Sequence, residues 1–343
     1  MRYLVFMHRR TIPGVLLSFA ASALLGAEPT PRESLLILSK AERTLSILNP
    51  TTLKVVARMP SGPDPHEVVA STDGKMAFIS NYGGGAYNTL TPVDLVAQKS
   101  LPAVDLGALR GPHGLMFAGG KVWFTAEVAK VIGSYDPATK KVDWVLGTGQ
   151  NRTHMIYVFE DLKRMITSNI TSATMTIIDK TATVPRPGGP PPREDWDETL
   201  IAVGRGAEGF DVTPNGKELW SANAQDGTIS IVDLTAKKVT QTIDANIQSA
   251  NRLKFTPDGK MAFISALRLP DAVVFDVTGR KEVKRIKIGR GAAGIQMQPD
   301  GSRVFVACTP DDYVVAIDLR KLEVVGKIDA GKQPDGMDWV VQR

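Results

Sequence analysis

Short apolar runs alternate with polar turns along nearly the whole chain from residue 28 onward. Valine, isoleucine, threonine and aromatic residues dominate these runs, as in MAFIS (76–80) and YVVAIDL (313–319). Such runs, bounded by Gly, Pro, Asn and Asp, predict β-strands rather than helices. The hydrophobic pattern therefore predicts an all-β protein.

Turn residues divide the runs into a repeated unit. The turns that precede the second strand of a unit include STDGK (71–75), TPNGK (213–217), TPDGK (256–260) and QPDGS (298–302). An Asn-Gly or Asp-Gly pair between apolar runs predicts a tight hairpin, of type I′, because both residues tolerate positive φ. A third strand that ends in Asp, as in TISIVDL (228–234), and a fourth strand complete each unit.

Four strands per roughly 40 to 50 residues is the period of a propeller blade. Six units are complete. The chain begins with three strands that lack an inner one, LLILS (35–39), TLSIL (44–48) and LKVVARM (53–59), and it ends with a lone inner strand, GMDWVVQR (336–343). We predict one domain over residues 28–343, a seven-bladed β-propeller closed by pairing the C-terminal inner strand with the three N-terminal strands.

One phase of the repeat carries most of the candidate chemistry. It contains all three histidines that follow residue 27, and its seven members are His66, His113, His154, Glu208, Asn251, Ala293 and Asp335. In a closed ring, equivalent positions of all blades lie at the same level around the central channel. These seven positions, here called the ring positions, are therefore expected to converge at the mouth of the channel.

Three neighbouring histidines with an open position are typical of a catalytic zinc, copper or iron site. We interpret His66, His113 and His154 as candidate ligands of a divalent transition metal. Glu208 follows them in the ring and is a candidate fourth ligand or general base. Two alternatives stay open: histidines that form structural hydrogen bonds within their own blades, and a polar pocket without metal.

Cations precede five of the seven ring positions, which points to a small anionic ligand. They are Arg110, Arg152, Arg205, Arg290 and Lys332. Guanidinium groups bind carboxylates and phosphates, so these five, with Asn251, Asp335 and Tyr82, are the candidate ligand-binding residues. The alternative is that the cations are solvated or form salt bridges with acids at the rim.

Residues 1–27 have the pattern of a secretory signal peptide: Arg2, Arg9 and Arg10 precede an apolar stretch that ends near Ala27. We therefore expect a periplasmic or secreted protein. These residues hold three of the 41 basic and none of the 36 acidic residues. The remaining chain is nearly neutral, which argues against nucleic-acid binding. No later apolar stretch is long enough to span a bilayer, and Cys308 has no partner for an intramolecular disulfide.

The PDGK turns and the VIDL-like third strands resemble the YVTN family of bacterial β-propellers across the chain from residue 28. Residues 111–139 also resemble one blade of the streptogramin lyases. These resemblances imply the propeller fold and, together with the histidines, a metal-dependent lyase or lactone hydrolase that acts on a small anionic or lactone-type molecule. The alternative is a non-catalytic propeller that binds a peptide, glycan or protein. We expect a monomer, because a closed ring leaves no free sheet edge.

Overall fold

The computed structural model describes residues 28–183, 191 and 193–343. Seven antiparallel sheets account for the described strands: six have four strands, and the seventh has five because its outer strand is split in two. This confirms the predicted seven-bladed all-β propeller. The predicted signal peptide, residues 1–27, lies outside the described residues.

The strands are numbered in chain order. The first three are β1 (Glu33–Ser39), β2 (Thr44–Asn49) and β3 (Lys54–Pro60). Blade 1 holds β4 (Pro65–Ala70), β5 (Met76–Asn81), β6 (Thr89–Asp94), β7 (Lys99–Ser100) and β8 (Val104–Asp105). Blade 2 holds β9 (Pro112–Ala118), β10 (Lys121–Ala126), β11 (Val131–Asp136) and β12 (Lys141–Gly147). Blade 3 holds β13 (Thr153–Val158), β14 (Arg164–Asn169), β15 (Thr174–Ala182) and β16 (Glu194–Ala202).

Blade 4 holds β17 (Ala207–Val212), β18 (Glu218–Asn223), β19 (Thr228–Asp233) and β20 (Lys238–Asp244). Blade 5 holds β21 (Ala250–Phe255), β22 (Met261–Ala266), β23 (Asp271–Asp276) and β24 (Lys281–Lys287). Blade 6 holds β25 (Ile295–Met297), β26 (Arg303–Cys308), β27 (Tyr313–Asp318) and β28 (Glu323–Ile328). The final strand is β29 (Pro334–Val341). In this part of the chain the helical segments are the short 3-10 turns Gly83–Gly85 and Thr309–Asp311, and none of its helices is long and apolar enough to cross a membrane.

Blade 7 is assembled from both ends of the described chain. Strand β29 is its inner strand and pairs antiparallel with β1, with Leu35 opposite Trp339 and Ile37 opposite Met337. The sheet continues through β2 to β3. Both ends of the chain are thereby locked into one sheet, so the predicted closure is confirmed.

Burial changes systematically across each blade. In the second strands the residues are almost all buried, as in β5, because their two faces pack against the neighbouring blades. The outermost strands alternate exposed and half-buried residues, as in β12. Central strands therefore appear as continuous apolar runs and outer strands as alternating ones, and this difference makes the repeat readable in the sequence.

The turns before the second strands differ from the predicted type I′ geometry. Five residues, 71–75, separate β4 from β5, and the Gly74 N–H donates to the Ser71 carbonyl at 2.8 Å. Gly74 has φ of +71°, and the Asp73 side chain accepts the Lys75 N–H at 3.1 Å. The prediction of a hairpin was right, but the turn is longer, because the Asp side chain stabilises a wider loop that needs positive φ only at glycine.

Close packing of the inner strands depends on glycine directly after the ring position in four blades. A Cβ would lie 2.4 Å from the His154 carbonyl oxygen at Gly114 and 2.2 Å from the His66 carbonyl oxygen at Gly336. Gly209 and Gly294 meet the next blade in the same way. At this level of the channel only Glu67, Met155 and Arg252 carry side chains. The four glycines allow the ring positions to approach one another.

Candidate functional site

All seven ring positions line one cavity of about 180 Å³ at the mouth of the channel. Closure of the propeller brings them together, as their common phase predicts. The cavity is also lined by Lys40, Tyr82, Arg152, Arg252, Leu267 and Thr309. We call this space the mouth cavity. Its volume lies below the usual 300 to 1,000 Å³ of drug-sized ligand sites, so it fits a small ligand.

His113 is buried in the mouth cavity, and within the described part of the chain no side chain or backbone group forms a hydrogen bond with its Nδ1. Its side chain is 3% exposed, and Nδ1 has neither a partner nor solvent contact. The ring lies 3.8 Å from that of His154 and 5.1 Å from that of His66, measured between centroids. Burial, reinforced by nearby positive charge, holds the pKa of His113 well below its usual value. The imidazole is therefore neutral and keeps a lone pair for a ligand.

His154 is oriented by a carboxylate. Its Nδ1 lies 2.5 Å from Glu127 Oε1, while its Nε2 is buried without a partner. Glu127 also accepts a hydrogen bond from the Tyr82 hydroxyl and lies 3.6 Å from Arg152 Nε. Burial raises the pKa of Glu127, but these donors, His154 first, lower it on balance. Burial and the bond to Glu127 raise the pKa of Tyr82 to about 12. Glu127 is thus an ionised acceptor surrounded by donors.

Glu208 faces His154 from the next blade. Its Oε1 lies 3.8 Å from His154 Nε2 and accepts a hydrogen bond from Asn251 Nδ2 at 2.7 Å. Asn251 in turn accepts hydrogen bonds from Arg252 Nη1, at 3.1 Å to its backbone oxygen and 3.2 Å to Oδ1. Strands β17 and β21 are adjacent inner strands, so the hydrogen bond between Glu208 and Asn251 joins neighbouring blades.

Arg252 also forms an ion pair with Glu67 across the channel, between blades 5 and 1. The two side chains are 8% and 12% exposed. Burial alone lowers the pKa of Arg252, but the carboxylates of Glu67, Asp335 and Glu208 raise it on balance. Deeper in the channel lies a second cavity of about 300 Å³, the lower chamber, which Glu67 and Arg252 both line. Arg252 lines both cavities, whereas Glu67 lines the lower chamber, so the Arg252 side chain, paired with Glu67, forms the floor of the mouth cavity.

The other side of the mouth cavity is occupied by a lysine. Lys40 Nζ lies 3.1 Å from His66 Nε2 and 3.2 Å from Asp335 Oδ2. His66 Nδ1 lies 3.2 Å from the Asp64 carbonyl oxygen, so both ring nitrogens have partners. His66 therefore differs from His113 and His154, whose ring nitrogens include buried atoms without a partner.

Four of the five predicted rim cations lie away from the cavity lining. Arg205 pairs with Asp226 at 2.7 Å, and Arg290 pairs with Asp311 at 2.5 Å. Both arginines are about three-quarters exposed, and Arg110 and Lys332 are exposed as well. Only Arg152 lines the cavity. For Arg205 and Arg290 the geometry agrees with the alternative of local salt bridges.

Four charged residues that build the site were not assigned a site role from the sequence. Lys40 and Glu127 directly follow the second strand of their blades, as Tyr82 does, so extending this phase to β1 would have found Lys40. Glu67 and Arg252 directly follow ring positions, where four other blades have glycine. The charged residues that replace glycine at these two positions could therefore have been recognised as site candidates from the sequence.

The donor atoms do not yet form a coordination sphere. Within residues 28–183, 191 and 193–343, no three His, Cys, Asp or Glu side chains are grouped closely enough to hold a metal ion. His154 Nε2 and Glu208 Oε1 lie 3.8 Å apart and point toward each other, so these two side chains would be the first to hold a metal ion here. The site offers neutral imidazole and carboxylate donors, which suit zinc, copper or iron.

No family model and no curated protein matches the sequence. Solved structures do resemble the fold. A protein of unknown function from Desulfotomaculum acetoxidans has a TM-score of 0.72 and 12% identity, with 90% of this chain and 99% of that one covered. A candidate 6-phosphogluconolactonase from Bacteroides fragilis has a TM-score of 0.70 and 15% identity, with 91% and 99% covered.

The dihydro-heme d1 dehydrogenase NirN, solved in complex with DHE, has a TM-score of 0.62 and 15% identity, with 93% of this chain and 68% of that one covered. At these identities the comparisons support the propeller fold alone, because propellers carry many unrelated functions. The resemblance to the YVTN family stays a prediction.

Proposed function

We propose that the mouth cavity binds a divalent transition metal ion and acts on a small anionic or lactone-type molecule. The observation that carries the proposal is His113, a buried and neutral imidazole whose Nδ1 has no hydrogen-bond partner among the described residues. A buried polar group left unpaired costs about 1–3 kcal/mol, so native proteins usually pair such a group with a protein atom, an ordered water or a bound ion. The unpaired Nε2 of His154 points to the same conclusion.

His113, His154 and Glu208 are the proposed ligands. His66 is a fourth candidate, which becomes available when Lys40 leaves its Nε2. A bound zinc, copper or iron ion supplies Lewis acidity toward a carbonyl oxygen. The protein contributes the orientation of the donors, a small cavity that limits water, and acid–base groups beside it.

Charge supports an anionic ligand. Lys40, Arg152 and Arg252 face the carboxylates of Glu67, Glu127, Glu208 and Asp335, and the Asp64 carboxylate lies 3.5 Å from His66 Nδ1, so these side chains are net negative by two when the histidines are neutral. A divalent ion would add two positive charges at the cavity, which favours an anionic ligand. Lys40 and Arg152, on different sides of the cavity, are the cations placed to pair with it.

A lactone fits both the charge and the names of two structural neighbours, the candidate 6-phosphogluconolactonases of Bacteroides uniformis and Bacteroides fragilis. In the proposed reaction water adds to the lactone carbonyl, Glu208 accepts the water proton, and that proton passes to the ring oxygen as its bond to the acyl carbon breaks. The product is one hydroxy acid, and no redox partner is required.

Metal analysis of the tag-free chain tests the proposal. We expect a near-stoichiometric transition metal by mass spectrometry, and its loss in His113→Ala and His154→Ala. Arg205→Ala is the matched control, because this exposed residue lies outside the cavity lining. Hydrolysis of 6-phosphogluconolactone and of uncharged γ-butyrolactone is then followed at constant pH with and without a chelator.

Each outcome separates the candidates. Chelator-sensitive hydrolysis that favours the anionic lactone supports the full proposal. Metal binding without hydrolysis removes the lactonase part. A wild-type protein that cannot be loaded with zinc, copper or iron refutes the metal site and leaves a non-catalytic propeller that binds a peptide, glycan or protein.

We also propose that the protein is exported to the periplasm or secreted, on the basis of the sequence of residues 1–27. Fractionation of cells that express the full chain or residues 28–343 tests this. Retention of the full chain in the cytoplasm would contradict it.

A further inference from the structure

His154 Nε2 and Glu208 Oε1 face each other across a gap, and a neighbouring residue holds each of the two side chains in position. The two atoms are 3.8 Å apart, too far for a hydrogen bond to each other. We propose that Glu127 and Asn251 are positioning residues that present these atoms to one small bridging species, a metal ion or a water-sized donor. This inference rests on the proposed function, in that His154 and Glu208 hold the ligand.

The first support fixes the proton on His154. Glu127 Oε1 faces His154 Nδ1 at 2.5 Å, and its Oε2 faces the Tyr82 hydroxyl and Arg152 Nε. Arg152 can only donate, and Glu127 accepts from every neighbour. When the His154 ring is neutral, it therefore carries its proton on Nδ1, and the lone pair of Nε2 faces the gap. Carboxylates behind ligating histidines commonly fix the tautomer in this way.

The second support fixes the amide of Asn251. Arg252 Nη1 lies 3.2 Å from Asn251 Oδ1, and because a guanidinium only donates, the oxygen of the amide must face it. The amide nitrogen is then turned to Glu208 Oε1, at 2.7 Å. This uncharged donor holds the Glu208 side chain in place. The two supports come from blades 2 and 5 and meet at the gap between blades 3 and 4.

Replacing Glu127 by glutamine has a specific expected result. The amide oxygen stays on the side with two donors, Tyr82 and Arg152, so the amide NH₂ group faces His154. Nδ1 then becomes an acceptor and the ring proton moves to Nε2. A protonated Nε2 has no lone pair to offer to a metal ion in the gap. Tyr82→Phe is the matched control, because it removes one donor to Oε2 and leaves Oε1 facing Nδ1.

Long-range ¹H–¹⁵N spectra of the metal-free protein, recorded where the rings are neutral, report the tautomer directly. Residues 28–343 contain three histidines, so His66→Gln and His113→Gln assign the signals. We expect the Nδ1–H tautomer for His154 in the wild type, in Tyr82→Phe and in Asn251→Leu, and the Nε2–H tautomer in Glu127→Gln. Zinc titration should show affinity reduced about 10- to 100-fold in Glu127→Gln and in Asn251→Leu.

The two readouts separate the positioning role from the proposed function. An Nδ1–H tautomer in Glu127→Gln, or an Nε2–H tautomer in the wild type, overturns the role of Glu127. Unchanged zinc affinity in Asn251→Leu overturns the role of Asn251. A wild type that binds no zinc but shows the expected tautomer switch refutes the metal site and leaves Glu127 as the residue that orients His154. Far-ultraviolet circular dichroism of each variant checks that it is folded.

Discussion

Replacing Glu67 by leucine leaves the Arg252 guanidinium without its carboxylate partner across the channel. The wild-type side chains are 12% and 8% exposed, so water does not compensate the lost charge. The remaining hydrogen bonds of Arg252 go to Asn251. Breaking a buried pair on one side typically costs about 3–5 kcal/mol, and we expect this loss in the free energy of unfolding of Glu67→Leu.

The double variant Glu67→Leu, Arg252→Met removes both charges and should behave differently. Apolar replacement of a buried pair is commonly neutral or stabilising by about 1–4 kcal/mol. The two hydrogen bonds of Arg252 to Asn251, worth about 1 kcal/mol each, are lost. We therefore expect the double variant to lie within about 2 kcal/mol of the wild type, with the 180 Å³ and 300 Å³ cavities joined.

Urea unfolding followed by circular dichroism, on the wild type, both single variants and the double variant, measures the coupling between the two sites. Glu282→Ala, which breaks a partly exposed pair with Arg285, is the control and should cost less than about 1 kcal/mol. Coupling below about 0.5 kcal/mol, the level of independent sites, would refute the description of the pair as a buried floor.

Three further outcomes follow from the same geometry. Burial raises the pKa of Asp338 to about 6, so the folded state holds its proton more tightly than the unfolded state does. The free energy of unfolding should therefore fall as the pH rises from about 4 to 6. Asp338→Asn should flatten this slope, which urea unfolding at several pH values measures. Gly336→Ala places a Cβ 2.2 Å from the His66 carbonyl oxygen and should lower the midpoint temperature of thermal unfolding. Gly147→Ala is the control, because its Cβ would have no atom within 4 Å, and it should leave the midpoint unchanged. Equal midpoints for the two variants would contradict the close packing of blades 7 and 1. In metal-free protein His113→Phe should equal or exceed the wild type in unfolding free energy, by up to about 3 kcal/mol, and a clear loss of stability would indicate a structural role for the imidazole.

Much of the fold was predictable from the chain, because four strands recur with each blade and every second strand is a continuous apolar run. The split seventh blade was predictable for the same reason: Leu35–Ser39 lacks an inner neighbour and Gly336–Arg343 lacks outer ones. The turn geometry at Ser71–Lys75 was predicted wrongly. Local pattern alone does not reveal that the Asp73 side chain accepts a backbone N–H and widens the loop.

The candidate site was predictable in position but not in its contacts. The equivalent positions of His66, His113 and His154 in the repeated unit were enough to predict that they lie at one level of the channel. Phase does not show that Lys40 contacts His66, or that Arg205 pairs locally with Asp226, because both depend on side-chain direction and on distances between loops.

The sequence by itself determined the number of blades, the closing blade and the residues that share the channel mouth, since repetition and ring closure convert equal phase into equal height. Only the tertiary structure decided which of these residues interact. Glu67 and Arg252 are 185 positions apart and meet because blades 1 and 5 face each other across a narrow channel. Their pairing, and the unpaired state of His113, follow from burial: in a closed space of this size each polar atom has only the few partners that neighbouring blades bring within reach.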